Sequence, residues 1–364
     1  MTPSRGASDA APAREPAATA DLVVRRAAPG DAVRVDTFAL EAPRASFFHG
    51  AGWTRAVCEE FGHEDRSLVA ERDGRVVGVM PLALCSGLSG GKALISTPYG
   101  VYGGPIGADG VAERALFEEA EREALALRVG RLEMRCLEDP GLGLPEADLH
   151  ATFVKDLGDD PAGVLPGMPK KSRADARKAR ETHGLQLHEG RWYLPDLVRL
   201  FHRNKRALGS PALPASYFER LLETFGDRAT VHVVKKGGET LAAVMSFLFR
   251  DQVLAYHSGT AEGVDRAFKA SVFMYMALQE WAIENGYRVF DFGRSRKDSG
   301  AFSFKQHQGF EARDLHYCFR LVKDKGLPTF NPSNPKTKIL QQTWSRLPFG
   351  LTQLLSRPAS RFLP

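Results

Sequence analysis

The pattern of apolar positions predicts the same order of elements twice along the chain. In the first half, the turn Asp73-Gly74 joins two alternating apolar runs, 66–71 and 76–84, which predicts a β-hairpin. In the second half, Gly237-Gly238 joins runs 230–235 and 241–249 in the same way. Each hairpin is followed by a strand, a helix and a strand, predicted at 94–98, 112–128 and 131–136 and again at 253–259, 267–285 and 289–292. This order predicts a duplicated α/β unit, although sequence identity between the halves is not visible.

The remaining patterns set the predicted domain limits. Further strands are predicted at 22–26 and 152–157, and further helices at 31–42, 53–61, 170–182, 194–208 and 215–225. Residues 1–20 are rich in Ala and Pro without an apolar core, which predicts a disordered leader. We therefore expect a first domain over 21–165, a second domain with the active-site loop over 166–325, and a basic tail over 326–364.

Composition narrows the class of protein without identifying a partner. A chain of 364 residues is long for one domain and comfortable for two. The net charge of +5 favours anionic partners, and no apolar run approaches the roughly 20 residues that span a bilayer. The four cysteines are far apart and without metal-ligand spacing, which indicates buried thiols in a reducing cytoplasm and no metal site.

The tail segment 339–355 allows two interpretations. It carries Leu, Trp and Phe among Lys and Arg and is broken at Pro348. Such a segment either packs back on the first domain or lies as a basic amphipathic element on an anionic membrane. The second interpretation would place the protein at the cytoplasmic face of the inner membrane.

A strand end in the second half carries the strongest functional pattern. The apolar run 289–292 ends on an acid, a glycine and a cation, and a loop with an FK pair leads to another predicted strand, 315–322. Polar, glycine-bearing loops after strands are frequent ligand sites in α/β proteins. The residues of interest are Phe290-Asp291-Phe292-Gly293-Arg294-Ser295, Ser303-Phe304-Lys305 and Gly309-Phe310.

These motifs resemble the signature of FemAB-related proteins, and more narrowly of the subgroup associated with the exosortase/PEP-CTERM export system. The resemblance implies an α/β (α+β) fold of two tandem GNAT-like (N-acetyltransferase-like) domains, each with a mixed central sheet flanked by helices. It also implies an acyltransferase or aminoacyltransferase that acts on an amine of a cell-envelope or exopolysaccharide precursor. A non-catalytic GNAT-like protein that binds a component of the same export system is the alternative.

Acyl transfer to an amine requires a neutral nucleophile, a stabilised oxyanion and a protonated leaving group. The resemblance assigns Lys305 to donor handling and charge stabilisation, against the alternative of a solvated loop lysine. Asp291 is predicted to orient the amine or accept a proton, or else to cap the following turn. Tyr256 is a candidate hydrogen-bond donor, and His257 either a base or a core histidine.

Two groups of residues are predicted to bind substrate. The first group is Arg294, Ser295 and Phe304. Arg294 is predicted to contact an anionic group of a substrate, or else to form a salt bridge at the loop rim. The second group lies on one predicted helix, whose pattern K-K-x-R-x-x-x-R-K-A resembles the family's helix at that place. Its members suit phosphate oxygens, as in a nucleotide sugar, a lipid diphosphate or tRNA, although charged helices are often merely solvated; they are Lys170, Lys171, Arg173 and Arg177.

The stretch 259–269 lacks the usual acetyl-CoA turn of GNAT proteins, Arg/Gln-x-x-Gly-x-Gly/Ala, whose backbone N–H groups hold the pyrophosphate. Glu262 and Asp265 within it would repel phosphates. We expect no permanently bound cofactor, and an acyl donor that is aminoacyl-tRNA or an acyl-CoA held in an unconventional way. The glycine-rich stretch 99–105 is predicted to line the acceptor cleft of the first domain.

Overall fold

The computed structural model describes residues 21–87, 90–328 and 335–364, and the side chains of the last range from residue 339 onward. The predicted leader, 1–20, lies outside the described residues. The first half contains ten strands and three helices: β1 (Val23–Arg26), α1 (Ala32–Glu41), α2 (Ala51–Phe61), β2 (Glu64–Asp65), β3 (Leu68–Arg72), β4 (Arg75–Met80), β5 (Ala83–Ser86), β6 (Lys92–Ile95), β7 (Ile106–Gly107), α3 (Gly110–Ala126), β8 (Arg131–Cys136), β9 (His150–Thr152) and β10 (Val154–Asp156).

The second half and the tail continue the chain. Their elements are α4 (Val164–Gly167), α5 (Lys170–Glu181), β11 (Gln186–Glu189), α6 (Leu194–Ala207), α7 (Ala215–Phe225), β12 (Ala229–Lys236), β13 (Glu239–Phe249), β14 (Gln252–Thr260), α8 (Val264–Phe268), α9 (Ala270–Glu284), β15 (Val289–Asp291), β16 (Ser295–Arg296), α10 (Gly300–His307), β17 (Arg313–Asp314), β18 (His316–Leu321), α11 (Pro335–Arg346), α12 (Phe349–Leu354) and α13 (Ser356–Ser360). The predicted α/β class, with mixed sheets flanked by helices, is confirmed.

Each half repeats one local topology. In the second half a six-stranded sheet has the order β10-β15-β14-β13-β12-β11, and only β14 and β15 within it run parallel. In the first half β6 and β8 form the equivalent parallel pair. The predicted strand 76–84 is divided at Pro81, which has no N–H to donate to a ladder. Its two parts, β4 and β5, belong to different sheets.

Strand pairing crosses the predicted boundary at residue 165 in both directions. Strand β10 of the first half pairs with β15 of the second, and β18 of the second half pairs with β8 of the first. Strand β9 lies between β16 and β17 in a small three-stranded sheet. Because each half supplies a strand to a sheet of the other, the two halves are joined by backbone hydrogen bonds between strands.

An aromatic cluster also joins the halves. Phe47 stacks on Phe247 with ring centroids 4.7 Å apart and contacts Phe225 at 4.5 Å. Trp53, which is fully buried, contacts the same two second-half rings. Large apolar surface removed from water on both sides makes this interface part of the core.

The tail packs on both halves. Helices α11 and α12 contact α6 of the second half, whereas Arg357 on α13 reaches the buried carboxylate of Glu60 in the first half at 3.4 Å. Tyr99 donates its hydroxyl to the carbonyl oxygens of Ser360 and Arg361, each at 3.0 Å. Among the described residues no helix is long and apolar enough to cross a membrane.

Candidate active site

A cavity of about 860 Å³ lies where β14 and β15 end and the first half, α6 and the tail close around them. Such a volume is typical of small-molecule sites. Five of the predicted site residues line it: Tyr256, Arg294, Ser295, Phe304 and Lys305. Residues that are up to about fifty positions apart in the sequence therefore lie around one cavity.

Lys305 lies on a helix, not in the loop that the sequence predicted. Ser299 caps α10 by accepting a hydrogen bond from the backbone N–H of Phe302, and this cap was the signal for a helix that the prediction missed. The Nζ of Lys305 donates to the carbonyl oxygens of Gly293 (2.8 Å) and Arg294 (3.0 Å). The side chain is only 7% exposed, which rules out the solvated-lysine alternative.

Burial perturbs the protonation of this lysine. Desolvation among aromatic rings lowers the pKa of Lys305 to about 7, and the nearby charge of Asp291 opposes the shift only in part. The rings of Phe153 and Phe292 lie 5.3 and 5.2 Å from Nζ and favour its charged form. Ammonium and neutral amine are therefore both accessible near neutral pH.

Asp291 lies behind the cavity wall, 1% exposed. Its Oδ1 accepts hydrogen bonds from the backbone N–H of Gly293 (2.6 Å) and the hydroxyl of Tyr102 (3.0 Å). Gln252 donates to Oδ2 at 3.3 Å. The hydrogen bond from Gly293 is the one expected if Asp291 caps the turn that follows the strand. Desolvation nevertheless raises the pKa of Asp291 to about 6, so the carboxyl is poised to titrate; its catalytic role stays a prediction.

A loop of the first half completes this site. Tyr102 connects Asp291 to Thr152, and Tyr256 donates to the carbonyl oxygen of Tyr99 at 2.5 Å. Of the glycine-rich stretch 99–105, Tyr99 lines the large cavity, whereas Tyr102 and its neighbours border a first-half pocket of only about 20 Å³. The predicted acceptor cleft within the first domain is therefore nearly closed, because the stretch packs into the second-half site instead.

Two cations without an acidic partner and one hydroxyl without a hydrogen bond lie at the cavity wall. Arg294 donates to the hydroxyl of Tyr317 at 2.9 Å and, like Lys205 of α6, has no carboxylate within ion-pair distance among the described residues. The Oγ of Ser295 is buried without a hydrogen-bond partner. Lys205 was not predicted; its only signal was the cationic run Arg203-Asn204-Lys205-Arg206. His257 also lines the cavity, where its Nε2 lies 3.3 Å from the hydroxyl of Tyr217.

The turn between β14 and α9 does not fit a pyrophosphate bound in the usual GNAT way. The carboxylate of Asp265 accepts hydrogen bonds from the backbone N–H (2.7 Å) and the hydroxyl (2.8 Å) of Ser271 at the start of α9. A carboxylate thus takes the position at the helix N-terminus where a phosphate would be favoured.

The basic helix α5 lies outside the cavity. Lys170, Lys171 and Arg177 are exposed, and Arg173 donates to the carbonyl oxygen of Pro166 at 2.9 Å. None of these four cations lines the cavity. The helix does contact the active-site helix, because Ser172 donates to the carbonyl oxygen of His307 on α10.

Comparisons with known proteins agree with this geometry. Residues 168–306 match the family model described as an acetyltransferase (GNAT) domain. No curated protein sequence matches the chain.

Solved structures extend the likeness to both halves. FemX has a TM-score of 0.62 at 14% identity, covering 81% of this chain and 97% of its own. A tandem GNAT protein from the clavulanic acid biosynthesis pathway has 0.54 at 16%, covering 85% and 100%. The C-terminal domain of a putative lysylphosphatidylglycerol synthetase from Agrobacterium fabrum has 0.52 at 15%, covering 79% and 91%.

The class follows from fold and site together. The chain has the tandem GNAT fold, as the sequence predicted, and these matches support the acyltransferase class. Within that class it is similar in fold to FemX.

Proposed function

We propose that the protein is a FemAB-type N-acyltransferase or aminoacyltransferase that modifies an amine of a cell-envelope or exopolysaccharide precursor in the cytoplasm. The observation that carries the proposal is the cavity at the ends of β14 and β15, which Lys305 lines together with Arg294 and Lys205, two cations without a carboxylate partner among the described residues. The association with exosortase/PEP-CTERM export rests on the sequence resemblance at 290–310.

Lys305 fits the charge changes of acyl transfer. As the amine attacks, the C–N bond forms and the carbonyl oxygen takes an electron pair. The ammonium of Lys305 has three N–H donors, of which two are held by backbone carbonyls, and the third is available to that oxyanion. When the bond to the leaving oxygen or sulfur breaks, the proton lost by the amine passes to the leaving group. Lys305 suits this relay because both of its protonation states are accessible.

The other residues divide between positioning and binding. Asp291 keeps the turn 291–293 in place and favours the charged form of Lys305. Tyr256 holds the first-half loop against the cavity through Tyr99. We assign to Arg294, Ser295 and Lys205 the anionic part of a substrate, and to Phe304 an apolar contact beside it.

The donor is an aminoacyl-tRNA or an acyl-CoA. Asp265 at the start of α9 disfavours the usual pyrophosphate position and so favours the tRNA ester. The row of cations on α5 lies outside the cavity and suits phosphates along a longer nucleic-acid donor. Its members are Lys170, Lys171, Arg173 and Arg177.

The test measures transfer by the purified protein. Aminoacyl-tRNAs and acyl-CoAs are offered with amine-bearing envelope precursors, and products are identified by mass spectrometry. We expect Lys305→Ala to abolish transfer while the protein stays folded, and Lys92→Ala, at an exposed lysine on β6 away from both α5 and the cavity, to retain it. Full turnover by Lys305→Ala would remove the proposed role. The rival function, a non-catalytic binding protein, predicts no saturable affinity for either donor.

A further inference from the structure

The last two helices of the tail are amphipathic in the opposite sense to a normal surface helix. Thr352, Ser356 and Ser360 are spaced four residues apart and form the buried stripe, each no more than 4% exposed. Their hydroxyls donate to backbone carbonyls three or four residues earlier in the chain, at 2.7, 2.6 and 2.6 Å. The most deeply buried positions of these two helices are therefore small polar groups with satisfied hydroxyls, flanked by the partly exposed Leu351 and Leu355.

Leucines occupy the outward face. Leu351, Leu354 and Leu355 are 39%, 75% and 36% exposed, at the i, i+3 and i+4 spacing of one helical face. Single exposed leucines need no explanation, whereas a contiguous leucine face on a helix that buries hydroxyls indicates a partner for that face.

The charge of the segment indicates which partner. Residues 325–364 contain three Lys and three Arg and no Asp or Glu. Arg346 and Arg361 are exposed. A second copy of this chain would bring the same positive charge to the interface, whereas an anionic lipid surface complements it and accepts leucine side chains below the headgroups.

We propose that α12 and α13 form a docking surface for an anionic membrane, with the leucine face inserted at the interface and the cations among the headgroups. The segment is held on the protein by Glu60 and Tyr99 while its outer face stays free. Ser360, Leu363 and Pro364 of the same segment line the large cavity. Docking therefore places one wall of the active site at the bilayer surface.

The experiment is sedimentation of the full chain with vesicles, and it needs no substrate, so it is independent of the proposed catalysis. We expect binding to phosphatidylcholine vesicles rich in phosphatidylglycerol, weaker binding in high salt, and little binding to pure phosphatidylcholine. The triple variant Leu351→Ser/Leu354→Ser/Leu355→Ser should partition about a hundredfold more weakly. The matched control is Leu40→Ser/Val111→Ser/Leu125→Ser, three exposed apolar residues on α1 and α3, which should bind like the wild type.

Three results would overturn the proposal. They are absence of binding to the anionic vesicles, equal loss in both triple variants, and concentration-dependent dimerisation that the leucine variant abolishes while vesicle binding persists. Circular dichroism and a thermal melt of each variant check that the fold is retained, because Leu351 and Leu355 are partly buried; the single variant Leu354→Ser, at a side chain that is 75% exposed, should weaken binding in the same direction without loss of stability.

Discussion

Replacement of Lys305 by methionine tests whether burial has displaced the protonation of this lysine. The unfolded chain holds the lysine proton up to its ordinary pKa of 10.5, whereas the folded protein releases it near pH 7. Between these values the unfolded state binds more protons, so the stability of the wild type rises with pH. Each unit corresponds to about 1.4 kcal/mol. Because Lys305 is already half deprotonated at pH 7 in the folded protein, the wild type should gain about 2 kcal/mol from pH 7 to 9 relative to Lys305→Met, which has no proton to lose at this position.

Urea unfolding of both proteins at pH 6, 7, 8 and 9 measures this difference. The comparison cancels the titrating groups that do not interact with Lys305, and repeating it in the Asp291→Asn background removes the carboxyl that does. Lys178→Met, on the exposed face of α5, controls for the general loss of one positive charge. A difference between wild type and Lys305→Met that stays constant from pH 7 to 9 would show that Lys305 remains charged, and the proton relay proposed for it would then fail.

Three further substitutions test neighbouring parts of the structure by the same unfolding assay. The pKa of Asp291 is about 6 in the folded protein and 3.8 in the unfolded chain. The protonated carboxyl therefore stabilises the folded state fully below pH 3.8, and this stabilisation is lost as the pH rises through 6. Relative to Asp291→Asn, the wild type should lose about 2 kcal/mol of unfolding free energy between pH 4 and 7, and a constant difference would contradict the burial argument. Glu60→Ala should cost about 2 kcal/mol, because it removes hydrogen bonds made by a carboxylate that is 1% exposed while its arginine partners, 34% and 61% exposed, stay solvated, whereas Glu59→Ala at the surface should cost less than about 1 kcal/mol. Gly104→Ala should lower the free energy of unfolding by at least about 2 kcal/mol, because φ is +89° and the new Cβ would lie 2.5 Å from the Sγ of Cys136. Adding Cys136→Ala removes the clash and should restore only the part of the stability lost to it. Full recovery would exclude a contribution from backbone strain.

Local signals in the sequence were sufficient for most of the fold. The Asp73-Gly74 and Gly237-Gly238 turns, both with positive φ, fix their hairpins without help from distant residues. The exchange of β10 and β18 between the halves was not predictable in this way. Which strand pairs with which depends on contacts between residues more than a hundred positions apart, as between Val154 and Asp291, and alternation within a strand does not encode its partner.

The site residues that a local motif identifies were predictable, and those brought in by distant contacts were not. Asp291, Arg294 and Lys305 lie within one stretch of sequence whose motif identified them. Tyr102 reaches Asp291 from the first half, and Lys205 reaches the cavity from α6. The glycine-rich stretch around Tyr102 and the cationic run around Lys205 were visible in the sequence, but neither indicates contact with this site. The loop assigned to Lys305 was wrong because a short helix of eight residues offers too few turns for its periodicity to stand out.

Capping of the turn by Asp291 and its electrostatic effect on Lys305 depend on the same carboxylate. Its carboxylate holds the turn through Gly293, whose carbonyl oxygen in turn accepts a hydrogen bond from Lys305. The same burial that raises the pKa of Asp291 lowers that of Lys305, and each charge favours the ionised form of the other. Burial is the larger cause of both pKa shifts, and the interaction between the two charges opposes it. Because Tyr102 donates to this carboxylate from the first half and Phe153 packs against the lysine, the packing of the two halves contributes to the electrostatic environment of Lys305.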